Sequence, residues 1–185
     1  MGNKAFFIIS KYKEDTSWLD FYPIDYIILQ SVMGHEATLL TYIYNNYKNL
    51  PNLLGILQAD PFPHCTDKIL RKLVHNTCFT FLETAEFREV NNSFYVQFGY
   101  AGRNITCKYE SYDEFMNKFF KGYEHIPIIR FSAGTQYIVE KERILYYSKS
   151  FWKSLLDELP RYDMTEGYLV ERAMPYIFQN TYEER

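Results

Sequence analysis

The sequence predicts one α/β domain, residues 1–185, with a central, mostly parallel mixed sheet flanked by helices. Three observations lead to that class. Short apolar runs bounded by turn residues recur early: AFFIIS at 5–10, DYIILQ at 25–30 and LLGIL at 53–57. Runs of this length read as strands, and the most apolar of them as strands covered on both faces. Segments with helical spacing alternate with them. No repeat, low-complexity tract or linker divides the chain, and 185 residues suffice for one sizeable core.

The first strand, 5–10, runs into a charged loop, Lys11-Tyr12-Lys13-Glu14-Asp15, followed by Trp18-Leu19. The second strand, 25–30, leads through Ser31–Gly34 into a helix from His35 to about Leu50. Leu39, Leu40, Ile43, Tyr44 and Tyr47 recur on one helical face, and Pro51 ends the helix. His35 and Glu36 stand in its first turn. There a carboxylate gains about 0.3–1 kcal/mol from the helix dipole, so capping is one account of this pair.

The third strand is the focus of the chain. Leu53-Leu54-Gly55-Ile56-Leu57 ends in Gln58, Asp60 and His64, and Pro61 and Pro63 forbid its continuation. An amide and a carboxylate therefore stand at the carboxyl end of a central strand, where open α/β sheets bind ligands. A carboxylate after five apolar residues and before a proline has little structural reason to be there.

A helix over 67–75 follows, with Thr66 as N-cap and Ile69, Leu70, Leu73 and Val74 inward. FYVQFGY at 94–100 alternates as an edge strand does. Ser111 and Glu114 form a capping box for a helix presenting Phe115, Met116, Phe119 and Phe120, closed by Gly122. Ile128–Phe131 is a strand, and a turn of mostly small residues, Ser132–Gln136, follows it before Tyr137-Ile138-Val139 and lets backbone approach a ligand or simply reverses the chain. An amphipathic helix spans 148–159, and a last one 168–179, where Pro175 predicts a kink or break.

The net charge of −3 and the lack of a basic tract argue against nucleic acid as a partner. Cys65, Cys78 and Cys107 form no CxxC, and no histidine pair has zinc spacing, so reduced thiols and a cytoplasmic protein are expected. No signal peptide and no integral membrane segment is visible. Phe6 occupies the position where myristoylation wants Ser or Thr. Without a secretion signal, the triplets at 91–93 and 104–106 are not taken as glycan acceptors. The wealth of Tyr, Lys, Ile and Asn suits an A/T-rich genome, a viral one included.

Five blocks in order resemble a known group: Lys11–Asp15 with Trp18-Leu19; Gly34-His35-Glu36 with Thr41-Tyr42; Leu57-Gln58-Ala59-Asp60-Pro61 with His64; Gly134–Tyr137; and Tyr168-Leu169-Val170-Glu171-Arg172. Together they resemble the short glycosyltransferase-like domains of bacteria, fungi and large DNA viruses, allied to the GT-A glycosyltransferase superfamily. The resemblance spans nearly the whole chain. It implies a GT-A-like fold and transfer of a sugar from a nucleoside diphosphate, UDP for example, to a hydroxyl of a glycan or glycoprotein.

By the same resemblance, Gln58-Ala59-Asp60 stands where the superfamily carries Asp-x-Asp and a divalent ion. Asp60 is then the metal residue for Mn²⁺ or Mg²⁺, or instead only hydrogen-bonds the sugar, with Gln58 a weaker neutral neighbour. Lys11 and Lys13 face the diphosphate, and Tyr12 or Trp18 supplies a flat slot for the base. Asp15, His35, Gly134, Gln136 and Arg172 complete the donor site. Glu171 is the base that takes the acceptor's proton.

Two rival functions stand beside this one. The replaced Asp suggests an inactive glycosyltransferase-fold binding protein. Asp60, Glu171 and a histidine suggest a metal-assisted hydrolase. At residue level, Glu171 and Arg172 also read as a structural ion pair, His64 as a loop histidine bonded to backbone, and most tyrosines as core.

Overall fold

The computed structural model describes residues 4–82, 88–90, 108–159 and 165–179. The strands are β1 (Phe6–Lys11), β2 (Asp25–Gln30), β3 (Leu53–Gln58), β4 (Thr80–Phe81), β5 (Arg88–Val90), β6 (Ile129–Phe131) and β7 (Tyr137–Glu140). The helices are α1 (His35–Asn46), α2 (Asp67–Leu73), α3 (Tyr112–Phe119), α4 (Lys141–Leu145), α5 (Lys149–Asp157) and α6 (Thr165–Gln179), with a 3₁₀ turn at Ser17–Phe21.

Five strands form one open sheet in the order β2-β1-β3-β7-β4, and β5 and β6 form a separate antiparallel pair. β1 is parallel to β2 and to β3, whereas β7 is antiparallel to both β3 and β4. Four strands therefore point one way and β7 alone opposes them. The expected α/β class and mixed sheet are present.

Alternation explains why the central runs are wholly apolar. Ile8, Leu54 and Ile56 face a core built with Leu39, Leu40 and Ile43 of α1, Trp152 of α5 and Met174 and Phe178 of α6. Phe7, Ile9, Leu53 and Leu57 face a second core with Leu19, Tyr22, Leu70 and Val74. A strand buried on both sides needs no polar position. Gly55, paired with Phe7, leaves room for that ring: a Cβ there would lie 2.2 Å from Phe7 Cδ1.

Local signals set several ends. Thr66, Ser111 and Ser148 each accept the backbone N–H three residues on, as N-caps do. Others differ from the sequence reading. α6 begins at Thr165 and runs through Pro175, because packing on nearly every side outweighs one missing backbone bond. α5 stops at Asp157, since the Glu158 N–H turns back to Leu155 O at 3.1 Å and the Leu159 N–H to Leu156 O at 3.2 Å. The strand expected at 94–100, the two Asn triplets and Cys107 lie outside the described residues. Cys65, buried, and Cys78, exposed, are not joined in a disulfide.

Candidate functional site

β1 leads to β2 on one side, while β3 lies on its other side. The strand order reverses between β1 and β3, and the crevice outside their carboxyl ends is the ligand position of such sheets. The Ala59 N–H bonds Ser10 O at 2.9 Å, so the two strands stay paired up to this edge. Four pieces of chain are tied together at this end: Ser10, Gln58–Asp60, the first turn of α1, and the 132–136 turn with α6 behind it.

The 132–136 turn is buried, with Ser132, Thr135 and Gln136 all at 0% exposure. A buried turn must satisfy its polar groups internally. The Ser132 N–H donates to Tyr137 Oη at 2.9 Å, and the Thr135 N–H to Ser132 O at 3.2 Å. The Gly134 N–H donates to Glu171 Oε1 at 2.5 Å, and the Thr135 hydroxyl to Glu36 Oε1 at 2.9 Å. Gly134 has φ +73°, and a Cβ on it would lie 2.0 Å from Gln58 Nε2. The turn thus brings Gln58, Gly134 and Glu171 together, three residues the sequence had singled out.

Glu36 does not cap α1. The N-cap is Gly34, no side chain caps the helix, and the buried Glu36 carboxylate is spent on Thr135. Arg172 is buried too, with Nη1 3.4 Å from Glu171 Oε2 and 2.7 Å from Tyr168 O. Its guanidinium lies over the Phe131 ring at 4.7 Å. Burial lowers its pKa, while Glu171, Tyr168, Tyr112 and Glu36 act the other way. The structural ion pair is therefore present but long; the Gly134 amide is the closer partner of Glu171.

His35 is half-buried and joins a chain of hydroxyls. The Thr38 hydroxyl donates to Gly34 O at 3.1 Å, Ser10 Oγ donates to Thr38 Oγ1 at 3.1 Å, and His35 Nδ1 is 2.9 Å from Ser10 Oγ. A carbonyl only accepts, so each proton along the chain points toward Gly34. His35 must then carry its proton on Nδ1, which leaves Nε2 as the ring's other polar atom. Ser10 and Thr38 carried no sequence signal, because neither belongs to a motif and only the tertiary fold brings them together.

The Lys11–Asp15 loop is shaped by its own polar groups. Glu14 Oε2 accepts the Tyr12 and Lys13 N–H groups at 2.7 and 3.0 Å. Burial acts to raise the Glu14 pKa, but these backbone bonds and nearby His35 bring it below its ordinary value. Asp15 accepts from Ser17, Lys11 Nζ reaches Thr16 Oγ1 at 3.5 Å, and Lys13 Nζ sits over the exposed Tyr12 ring at 5.0 Å. Trp18 is half-buried, edge-on to Tyr22 and Phe62, and its indole N–H donates to Ala59 O at 2.6 Å. That bond ties the loop to the residue before Asp60.

Asp60 itself is exposed and makes no hydrogen bond or ion pair among the described residues. His64 lies in the following turn, where its N–H bonds Pro61 O at 3.0 Å. Gln136 points inward, donating to Ala133 O at 3.3 Å, which takes it away from the donor position the resemblance gave it. Among the described residues no cluster of three or more His, Cys, Asp or Glu could enclose a metal. Among the described residues, Asp60 is thus an exposed carboxylate at this edge that no protein group engages.

Two cavities flank the region. One of about 310 Å³ lies between β2 and α1, lined by Gln30, Thr38 and Tyr42 among others. Another of about 400 Å³ lies beside α6, lined by Arg130, Tyr112, Arg172 and Tyr176 among others. No helix among the described residues is long and apolar enough to cross a membrane.

No curated protein and no solved structure matches the chain. Over residues 7–185 it matches the family described as protein of unknown function (DUF3431). With nearly the whole chain covered, the protein belongs to that family.

Proposed function

We propose that this protein is a nucleotide-sugar-dependent glycosyltransferase of GT-A-like fold, acting on a hydroxyl of a glycan or glycoprotein. One observation carries the reading: the Glu171 carboxylate is held by the Gly134 amide in a turn that abuts Gln58, at the ligand-binding edge of a parallel β1–β3 pair. The resemblance assigns the base and the donor residues to these same blocks.

In the proposed reaction the bond from the sugar's anomeric carbon to the diphosphate breaks as the acceptor oxygen bonds that carbon. The acceptor's proton passes to Glu171, and the nucleoside diphosphate leaves with the bond electrons. Lys11 and Lys13 stabilise the charge that develops on it. Mg²⁺ and Mn²⁺ take one or two carboxylates and fill the rest of their shell with phosphates and water. A lone exposed Asp60 fits that sparse requirement, and a bound ion would supply further charge stabilisation for the diphosphate. Tyr12, exposed, and Trp18, half-buried beside Ala59, are the rings available to the base.

The second reading is a binding module without turnover. The 6% exposure of Glu171 and its contact with Arg172 favour it, since both suit a structural carboxylate. A panel of UDP- and GDP-sugars, with and without Mn²⁺, separates the two by donor hydrolysis and by quenching of Trp18 fluorescence. The transferase reading expects hydrolysis that Glu171→Gln reduces by about 10²–10⁴-fold with donor binding kept. Binding without turnover supports the second reading. If no donor binds and Asp60→Ala changes nothing, both are wrong.

A further inference from the structure

Thr135 is the one non-glycine residue among the described residues with a left-handed backbone, at φ +56°. A β-branched side chain is disfavoured there, and such conformations persist only where the surroundings over-determine them. The surroundings are specific here. The Thr135 hydroxyl is held by Glu36 from α1, while the preceding amide, Gly134, is held by Glu171 from α6. Two carboxylates from two helices thus grip consecutive residues of one strained, fully buried turn.

Glu36 is placed for this task by its neighbours. It sits in the first turn of α1 yet takes no part in capping, so its carboxylate is available to the turn. A Cβ on Gly167 would lie 3.3 Å from Glu36 Oε2, so a bare α-carbon lets the start of α6 come close to it. The Thr135 N–H closes the turn onto Ser132 O at 3.2 Å, across the Ala133–Gly134 peptide that carries the Gly134 N–H, so the placement of that peptide is coupled to Thr135. Rotating Thr135 to an ordinary backbone would swing the Gly134 N–H off Glu171 and move Gly134 against Gln58.

From this geometry we infer that Glu36 is a positioning residue: through the Thr135 hydroxyl it holds the Gly134 amide on Glu171 and keeps Gln58 in place over Gly134. Its catalytic consequence rests on the reading of Glu171 as the base; the geometric statement does not.

The test is a spectrum of the full chain that needs no substrate. Carbonyl-labelled Ala with ¹⁵N-Gly selects only the amides that follow alanine, Gly102 and Gly134, because the chain holds two Ala-Gly pairs. Glu171→Gln identifies the Gly134 peak by shifting it. Thr135→Val, which removes the hydroxyl and keeps the shape, should move that peak upfield toward a free amide, and Glu36→Ala should do the same. Thr135→Ser, which restores the hydroxyl, should return it. A loss of packing alone would not be rescued by serine, which lacks the methyl group. If the Gly134 peak stays in place in Thr135→Val while Glu171→Gln moves it, the inference is wrong. Should Glu36→Ala not fold, the Val and Ser pair still decides. Absence of sugar transfer by the wild type would sink the proposed function and leave this result intact.

Discussion

The Gly134 amide donates to Glu171 Oε1 at 2.5 Å while Gln58 Nε2 occupies the space a side chain on Gly134 would need. A substitution there meets two penalties at once, a left-handed backbone and a clash. Gly134→Ala should cost about 1–3 kcal/mol in urea unfolding. It should also weaken donor binding if the edge of β3 holds the donor, because Gln58 must move. Equal stability and unchanged ligand binding would show that the turn is more forgiving than its geometry.

Gly55 and Phe7 form a second tight pair, inside the sheet. Phe7 is fully buried, and its ring lies where a Gly55 Cβ would stand. Gly55→Ala is therefore expected to destabilise by about 1–3 kcal/mol through overpacking. Combining it with Phe7→Leu should cost less than the sum of the two single changes, measured by a double-mutant cycle.

Glu158 anchors α5 to the 108–118 segment. Lys108 and Lys118 bind its two oxygens at 2.5 and 2.6 Å, and the Tyr109 hydroxyl bonds it as well. Burial acts to raise its pKa, but these three partners prevail and hold it below the ordinary 4.5. A depressed carboxylate contributes fully above its unfolded value and loses that contribution as pH falls through the folded one. Glu158→Gln should lower stability by about 1–3 kcal/mol at neutral pH. The two melting curves should converge below about pH 4.5, and parallel curves down to low pH would contradict the assignment.

The Thr38–Ser10–His35 chain predicts a tautomer. Neutral His35 should carry its proton on Nδ1, read directly from ring ¹⁵N shifts. Ser10→Ala should let the Nε2–H form compete. A wild type in the Nε2–H form would mean that the hydroxyls point the other way.

Much of the fold was legible in the residues. Apolar runs marked β1, β2 and β3, and Thr66, Ser111 and Ser148 marked helix starts, because those signals act within a few positions. The site was legible only in part. Gln58, Gly134 and Glu171 could be singled out from their blocks, but nothing local distinguished Glu36 as a partner of Thr135 rather than a capping group. Gln136 was assigned to the donor, whereas its amide bonds Ala133 O inside the buried turn, a contact set by how that turn folds.

By itself, then, the chain's order of residues determined β1, β2, β3 and β6 and the helix starts after Thr66, Ser111 and Ser148, since periodicity and capping chemistry need no distant partner, while β4, β5 and α4 carried no such signal. Tertiary structure alone decided that Glu36 and Glu171 close on neighbouring residues of one buried turn. Their contacts with Thr135 and Gly134 cross 99 and 37 positions, and only the docking of α1 and α6 beside the sheet brings such groups within bonding distance.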